Sequence, residues 1–270
     1  MVSPPPSHLG RKPEDHKKRQ LMIDNITKSH FSNPTPSLQG KSDVGNIGVC
    51  VRAGEKAVAA LFDLDGVVFD TEPQYTVFWG GVMRKFRPDV PGLEYTIKGS
   101  TLTRIFEDFL PHVPEEYDNI VKGLNEFEKN MDYPFVEGFE DFVKDCRRNG
   151  LKTAVVTSSN KAKMDSVLKK RPELKELMDA ILMSEDFEFS KPHPDCYIKG
   201  AQRFGAKPEE CLVFEDSFNG LKSGRASGAV VVGLSTSNSE DAIREYCDIV
   251  IPNYNGIDYN TLISRLGLRG

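Results

Sequence analysis

The stretch that decides the fold is Ala59-Ala60-Leu61-Phe62-Asp63-Leu64-Asp65-Gly66-Val67-Val68-Phe69-Asp70-Thr71-Glu72. It begins as an apolar run, which predicts a buried strand of a parallel sheet with Asp63 and Asp65 at its carboxyl end. Gly66 marks the point where the chain turns. Two carboxylates without an adjacent Lys or Arg repel each other, and a metal cation is the simplest way to offset that repulsion. The pair indicates a functional site, although an Asp-x-Asp pattern alone also occurs in solvated loops.

Composition narrows the class of protein. The chain has 270 residues and a net charge of −5, which argues against a nucleic-acid partner. No apolar run is long enough to cross a bilayer, so no membrane partner is expected, and no obligate protein partner is inferred. The cysteines form no CxxC pair, which argues against a disulfide framework or a zinc site and favours a reducing, cytoplasmic location. They are Cys50, Cys146, Cys196, Cys211 and Cys247.

Three regions of the chain differ in composition and in the spacing of their apolar residues. Residues 1–56 are rich in Pro, Ser, Asn and Lys, lack a secretory apolar region, and are predicted to be a disordered extension. Residues 73–136 carry apolar side chains at helical spacing, which predicts a helical domain inserted after the first strand. Residues 57–72 and 137–270 alternate strands with helices, so they are predicted to form one core domain around a parallel sheet.

Polar side chains follow three of the predicted strands. Asp63 and Asp65 follow the first, Thr157 and Ser158 follow a second, and Glu215 and Asp216 end a third. Because the carboxyl ends of parallel strands share one edge of a sheet, these residues are expected to converge, and a loop adds Lys191. Acids, a hydroxyl and one lysine suit phosphoryl transfer, which needs positioning and charge neutralisation.

These motifs together resemble the haloacid dehalogenase superfamily of phosphotransferases. The segment from Asp63 to Glu72 resembles the β-phosphoglucomutase-like branch, whose opening is DxDGVxxDTE. The resemblance covers residues 58–251 and includes Asp63-x-Asp65, the strand ending at Thr157, Lys191 before a proline, and Glu215-Asp216-Ser217. It implies an α/β fold with a Rossmann-like parallel sheet and a small all-α cap inserted after the first strand.

The resemblance also implies catalytic roles. Asp63 is the expected nucleophile, which forms an aspartyl-phosphate, and Asp65 is the expected general acid and base. Thr157, with the neighbouring Ser158 amide, is expected to bind the transferring phosphoryl group, and Lys191 to neutralise its charge.

The implied cofactor is Mg²⁺, a cation that prefers oxygen ligands. The expected ligands are the Asp63 carboxylate, the Asp65 backbone carbonyl and Asp216, with Glu215 in a supporting position.

Further substrate contacts are predicted on both sides of the site. Ser159 and Asn160 continue the segment after Thr157, and Gly99 and Ser100 lie in a cap loop that matches the family's substrate loop in position. A plain turn is an equally good interpretation of that cap loop. A cap closing over the site would exclude water and select the substrate.

The predicted function is a Mg²⁺-dependent phosphatase of small phosphorylated metabolites, in particular sugar phosphates. The alternative is a mutase of the β-phosphoglucomutase type, whose cap supplies an Arg and a His. The matching positions here are Leu102 and Tyr75, and the nearest basic residue is Arg104, which favours hydrolysis. A non-enzymatic phospho-acceptor also uses Asp, Thr and Lys, but it needs neither a cap nor the second acid, Asp65.

Overall fold

The structure is a computed structural model that describes residues 56–97 and 102–268. Its centre is one sheet of six parallel strands in the order β3-β2-β1-β4-β5-β6. The strands are β1 (Ala59–Phe62), β2 (Lys152–Val156), β3 (Ala180–Leu182), β4 (Cys211–Glu215), β5 (Val230–Leu234) and β6 (Ile249–Ile251). The predicted α/β fold with a parallel sheet is confirmed.

Helices occupy most of the connections. Between β1 and β2 lie α1 (Glu72–Phe86), α2 (Leu93–Thr96), α3 (Leu102–Arg104), which continues as a π-helical segment (Ile105–Phe109), α4 (Tyr117–Asn130) and α5 (Phe139–Arg148). The later helices are α6 (Lys161–Lys170), α7 (Leu174–Leu177), α8 (Asp195–Gln202), α9 (Phe218–Ser227), α10 (Glu240–Ile243) and α11 (Tyr259–Leu266). No helix in these described ranges is both long and apolar enough to cross a membrane.

Strand β1 is buried on both faces, which explains its continuous apolar sequence. Ala60 and Phe62 belong to the hydrophobic cluster on one side of the sheet, and Ala59 and Leu61 belong to the cluster on the other side. Side chains alternate between the two faces of a strand, so four consecutive apolar residues serve both layers. Its register with β2 and β4 places Phe62 beside Val155 and Phe214.

The helices inserted after β1 have a hydrophobic cluster of their own. It includes Trp79 and Met83 of α1, Ile105 and Phe106 of the π-helical segment, and Ile120 of α4. Apolar residues at helical spacing in α1 therefore pack inside the insert, as their pattern predicts. We call the segment from α1 to α4 the cap; its exact domain boundaries remain a prediction.

The C-terminal helix was not among the predicted elements. Helix α11 buries Tyr259, Leu262, Ile263 and Leu266, and its first turn is capped by Asp258, whose Oδ1 accepts from the Thr261 amide at 2.7 Å. The apolar spacing i, i+3, i+4, i+7 and the Asp cap were the available signals.

Candidate active site

The loop after β1 brings Asp63 and Asp65 to the carboxyl edge of the sheet. The Asp63 amide still donates to Phe214 O at 3.0 Å, so Asp63 continues the pairing with β4. Gly66 then turns the chain with φ of 72°, in the left-handed region that favours glycine. A Cβ at Gly66 would lie 1.9 Å from Asp216 Oδ2, so only glycine lets the loop pass this close to Asp216.

Lys191 connects the ends of three central strands. Its ammonium donates to Asp63 Oδ1 at 2.7 Å, to Glu215 Oε1 at 2.6 Å and to Val156 O at 3.3 Å. The residue is 8% exposed. Burial alone disfavours its ammonium, but the charges of Asp63 and Glu215 outweigh burial and raise the pKa of Lys191.

Glu215 is completely buried and every contact of its carboxylate is internal. Oε1 accepts from Lys191 and from the Tyr197 hydroxyl at 2.7 Å, while Oε2 accepts from the Asp216 and Ser217 amides at 3.1 and 3.3 Å. Helix α9 packs closely against this carboxylate at Gly220. A Cβ at Gly220 would lie 1.8 Å from Oε1, so a larger residue would not fit there. These contacts place Glu215 behind the site, where it holds Lys191.

The site contains more negative than positive charge. One carboxylate oxygen from each of Asp63, Glu215 and Asp216 lies within 4.8 Å of the others. Burial raises the pKa of Asp63 to about 7, although the charge of Lys191 opposes this. Burial and the neighbouring carboxylates of Glu215 and Asp63 raise the pKa of Asp216 well above its ordinary value. Two buried acids and the partly buried Asp63, against one lysine, form an oxygen-only donor set that fits a hard divalent cation.

The end of β2 supplies hydroxyl groups to the same edge. Thr157 is buried, and its Oγ1 accepts from the Ser159 amide at 3.0 Å, which leaves its hydroxyl proton available to an acceptor in the site. Ser158 and Ser159 line the cavity described below. Asn160 also lines it, but its side chain caps α6 by accepting from the Lys163 amide at 3.0 Å.

The Asp65 carboxylate is held by the side chains of Thr71 and Lys163. Its Oδ1 accepts from Thr71 Oγ1 at 2.8 Å, and its Oδ2 accepts from the ammonium of Lys163. Thr71 occupies the N-cap position of α1, but its side chain makes no capping bond and donates to Asp65 instead. Lys163 was not among the predicted site residues. Its position on the first turn after Asn160 was the only signal.

Two connected cavities lie beneath the cap. The larger, about 590 Å³, is lined by Asp63, Asp65, Thr157, Lys191 and Asp216, so the predicted residues do converge on one space. The smaller, about 220 Å³, is lined mostly by cap residues, and the two share Asp65, Glu72, Leu102 and Leu124. Gly99 and Ser100, the predicted cap contacts, lie outside the described residues.

The family model of haloacid dehalogenase-like hydrolases matches residues 58–228. The chain belongs to this family. The matched range contains all three strand ends and the loop with Lys191, so the family assignment and the geometry of the site refer to the same part of the chain.

Individual relatives agree with this assignment. Glycerol-1-phosphate phosphohydrolase 1 of Saccharomyces cerevisiae is 32% identical over 76% of this chain and 87% of its own length. Fructose-1-phosphate phosphatase YqaB of Escherichia coli is 28% identical over 67% of this chain and 97% of its own. The crystal structure of β-phosphoglucomutase from Clostridium difficile superposes with a TM-score of 0.59 at 20% identity, covering 78% of this chain and 97% of that one.

These findings confirm the sequence-based prediction of the family and of the reaction class. The protein is a haloacid dehalogenase-type hydrolase of phosphoric monoesters, and its fold is shared with β-phosphoglucomutase-like enzymes.

Proposed function

We propose that the protein is a Mg²⁺-dependent phosphatase of small sugar or polyol monophosphates that acts through a phosphoenzyme on Asp63. The observation that carries this proposal is the convergence of Asp63, Asp65, Thr157 and Lys191 on one cavity under the cap. Relatives named for glycerol 1-phosphate and fructose 1-phosphate support a substrate of this size.

In the first step, an oxygen of the Asp63 carboxylate attacks phosphorus and the ester bond to the leaving oxygen breaks. The electron pair stays on that oxygen, and Asp65 donates the proton that neutralises it. Lys191 offsets the combined negative charge of nucleophile and phosphate, and the hydroxyl of Thr157 donates to a phosphoryl oxygen.

In the second step, water hydrolyses the aspartyl-phosphate. Asp65, now a carboxylate, takes a proton from the water as its oxygen attacks phosphorus, and the bond from phosphorus to Asp63 breaks. Phosphate leaves, and Asp63 and the protonated Asp65 are ready for another cycle.

Asp63, Asp216 and the Asp65 backbone carbonyl would hold the Mg²⁺, with Glu215 behind them. The bound cation would supply positive charge that favours the ionised nucleophile and the approach of an anionic phosphate. The excess of buried carboxylates over lysine in the structure is the reason to expect it.

The cap cavity favours water over a second sugar phosphate as acceptor. Leu102 lies on the wall shared by both cavities, and no Lys or Arg is found among the described residues that line the smaller one. Arg104 directs its guanidinium to Asp108 at 3.2 Å and is mostly exposed. A bisphosphate has no cation in this part of the described cap to bind its distal phosphate.

The test is a phosphate-release screen over glycerol 1-phosphate, fructose 1-phosphate, nucleotides and pyrophosphate, with Asp63→Asn as the blank. We expect release from the polyol and sugar monophosphates. A second arm supplies β-glucose 1-phosphate with catalytic glucose 1,6-bisphosphate. Fast formation of glucose 6-phosphate with little free phosphate would show that the enzyme is a mutase.

A further inference from the structure

Lys163 is a buried lysine for which the two-step reaction above gives no role. The residue is 8% exposed, and it lies in the first turn of α6, which the side chain of Asn160 holds in place. A buried ammonium is costly unless it is paired, so its partners indicate what it does.

The partners of Lys163 come from both the core and the cap. Its ammonium pairs with Asp65 Oδ2, lies 4.0 Å from Glu128 Oε1 of α4, and lies 5.0 Å from the ring centroid of Tyr75 of α1. The Tyr75 hydroxyl in turn donates to Glu128 Oε1 at 2.8 Å. Core helix α6 and cap helices α1 and α4 therefore meet around one carboxylate, that of Asp65.

Without Lys163, the orientation of the Asp65 carboxylate is poorly defined. Thr71 binds only Oδ1, at 2.8 Å, and Ser159 Oγ approaches Oδ2 only at 3.5 Å. The terminal torsion of an Asp side chain is broad, so one strong hydrogen bond leaves its second oxygen free to rotate. Lys163 supplies the strong contact on that second oxygen.

We propose that Lys163 is a positioning residue, which fixes the rotation of the Asp65 carboxylate and, through Glu128, ties that rotation to the cap helices. The inference rests on the proposed acid and base role of Asp65. Removing the ammonium would leave Asp65 and Glu128 without their shared counter-charge, and the two carboxylates would turn apart. Proton transfer depends on this geometry, because the acid must reach the leaving oxygen at hydrogen-bond distance.

Two substrates whose leaving groups differ in their need for a proton distinguish this positioning role from a purely structural one. The glycerol alkoxide needs a proton as it leaves, whereas p-nitrophenolate is stable enough to leave without one. The ratio kcat/KM reports the steps up to departure of the leaving group, so it isolates the acid step. A misplaced Asp65 therefore lowers kcat/KM for glycerol 1-phosphate far more than for p-nitrophenyl phosphate.

The experiment measures both substrates with the full-length protein, with Lys163→Met, and with the control Lys169→Met, an exposed lysine of the same helix. We expect Lys163→Met to lower the glycerol-to-nitrophenyl ratio of kcat/KM by about tenfold or more, and Lys169→Met to leave it unchanged. Equal losses on both substrates would overturn the inference but not the phosphatase. No phosphate release by the unmodified protein from either substrate would overturn the phosphatase itself.

A double variant removes the remaining structural explanation. Lys163→Met/Glu128→Gln leaves no uncompensated charge on Glu128 and keeps an acceptor for Tyr75, so it also provides the measurement if the single variant does not fold. We expect its thermal midpoint to recover while the ratio of kcat/KM stays low. Recovery of both would mean that Lys163 only balances Glu128, and the inference would be wrong.

Discussion

At the nucleophile, burial and negative neighbours oppose the charge that the reaction needs. The pKa of Asp63 is raised to about 7 by burial, against the attraction of Lys191 at 2.7 Å. Glu215 has two opposite effects on Asp63. It holds the ammonium of Lys191 in place, which favours the ionised form of Asp63, and it adds a negative charge nearby, which disfavours that form. The positive charge of the proposed metal would favour the ionised form of Asp63 that the reaction needs.

Replacing the nucleophile tests its role directly. Asp63→Asn keeps the size of the side chain but replaces the anionic carboxylate with a neutral amide, so we expect phosphate release to fall by roughly a thousandfold or more and no acid-stable phosphoenzyme to form. Quenching with acid in the presence of radiolabelled substrate measures the phosphoenzyme. Turnover by Asp63→Asn at the unmodified rate would contradict the mechanism, and its circular dichroism spectrum checks that it folds.

Asp216 is the residue at which the predicted Mg²⁺ dependence can be tested. Activity should vanish in excess chelator and return with Mg²⁺, because Asp216 and Asp63 together form most of the proposed donor set. Asp216→Ala should need at least about tenfold more Mg²⁺ for half-maximal activity, since even the loss of a hydrogen-bond partner of a metal ligand typically costs about ten- to a hundredfold in metal affinity. Full activity in excess chelator would remove the metal from the proposal.

At the scale of elements, the turn after β1 and the ends of β2 and β4 form a single unit. Gly66 passes against Asp216, its carbonyl accepts from Thr236 Oγ1 at 2.6 Å, and Asp65 and Asp63 flank the turn. The position of the two acids thus depends on a loop that only one residue type fits.

Gly66→Ala tests that dependence, and Gly150→Ala is its matched control. Both glycines have positive φ, 72° and 87°, but an added Cβ meets nothing within 4 Å at Gly150. We expect each alanine to cost about 1–2 kcal/mol of stability from backbone strain. Only Gly66→Ala should also lose most of its activity, because it displaces Asp216. Urea unfolding and phosphate release measure the two effects, and equal activity in both variants would contradict the argument.

At the scale of the whole molecule, the sheet order explains why residues far apart in sequence meet. Strand β1 lies between β2 and β4, so the ends of the three strands carrying the site are adjacent. The insertion of the cap directly after β1 places its helices above that edge. The order of the strands and the point of insertion of the cap together place both site cavities beneath the cap helices.

Residues 1–55 lie outside the described residues, and the family match begins at residue 58. Because their composition predicts no core of their own, we expect a chain beginning at residue 56 to fold and to turn over substrate as the full chain does. Differential scanning calorimetry measures the thermal midpoints of the two proteins, and a phosphate-release assay measures their turnover. A drop of more than about 5 °C in the thermal midpoint, equivalent to roughly 1–2 kcal/mol, would count against this prediction.

The sequence by itself determined the sheet, the strand ends and the class of chemistry. An apolar run ending in Asp63-x-Asp65, with polar residues after two later strands, is a local pattern, and the geometry of parallel sheets converts local strand ends into one site. The helical spacing of α1 likewise indicated its buried face before any partner was known.

Only the tertiary structure decided how Asp65 is held. The Thr71 side chain binds Asp65 instead of making a capping bond, and the charge of Lys163 by itself predicts an exposed side chain. It is buried because Glu128 and Tyr75, from separate helices of the cap, close over the start of α6. Such a contact depends on how two folded parts pack, and neither spacing nor composition along one segment carries that information.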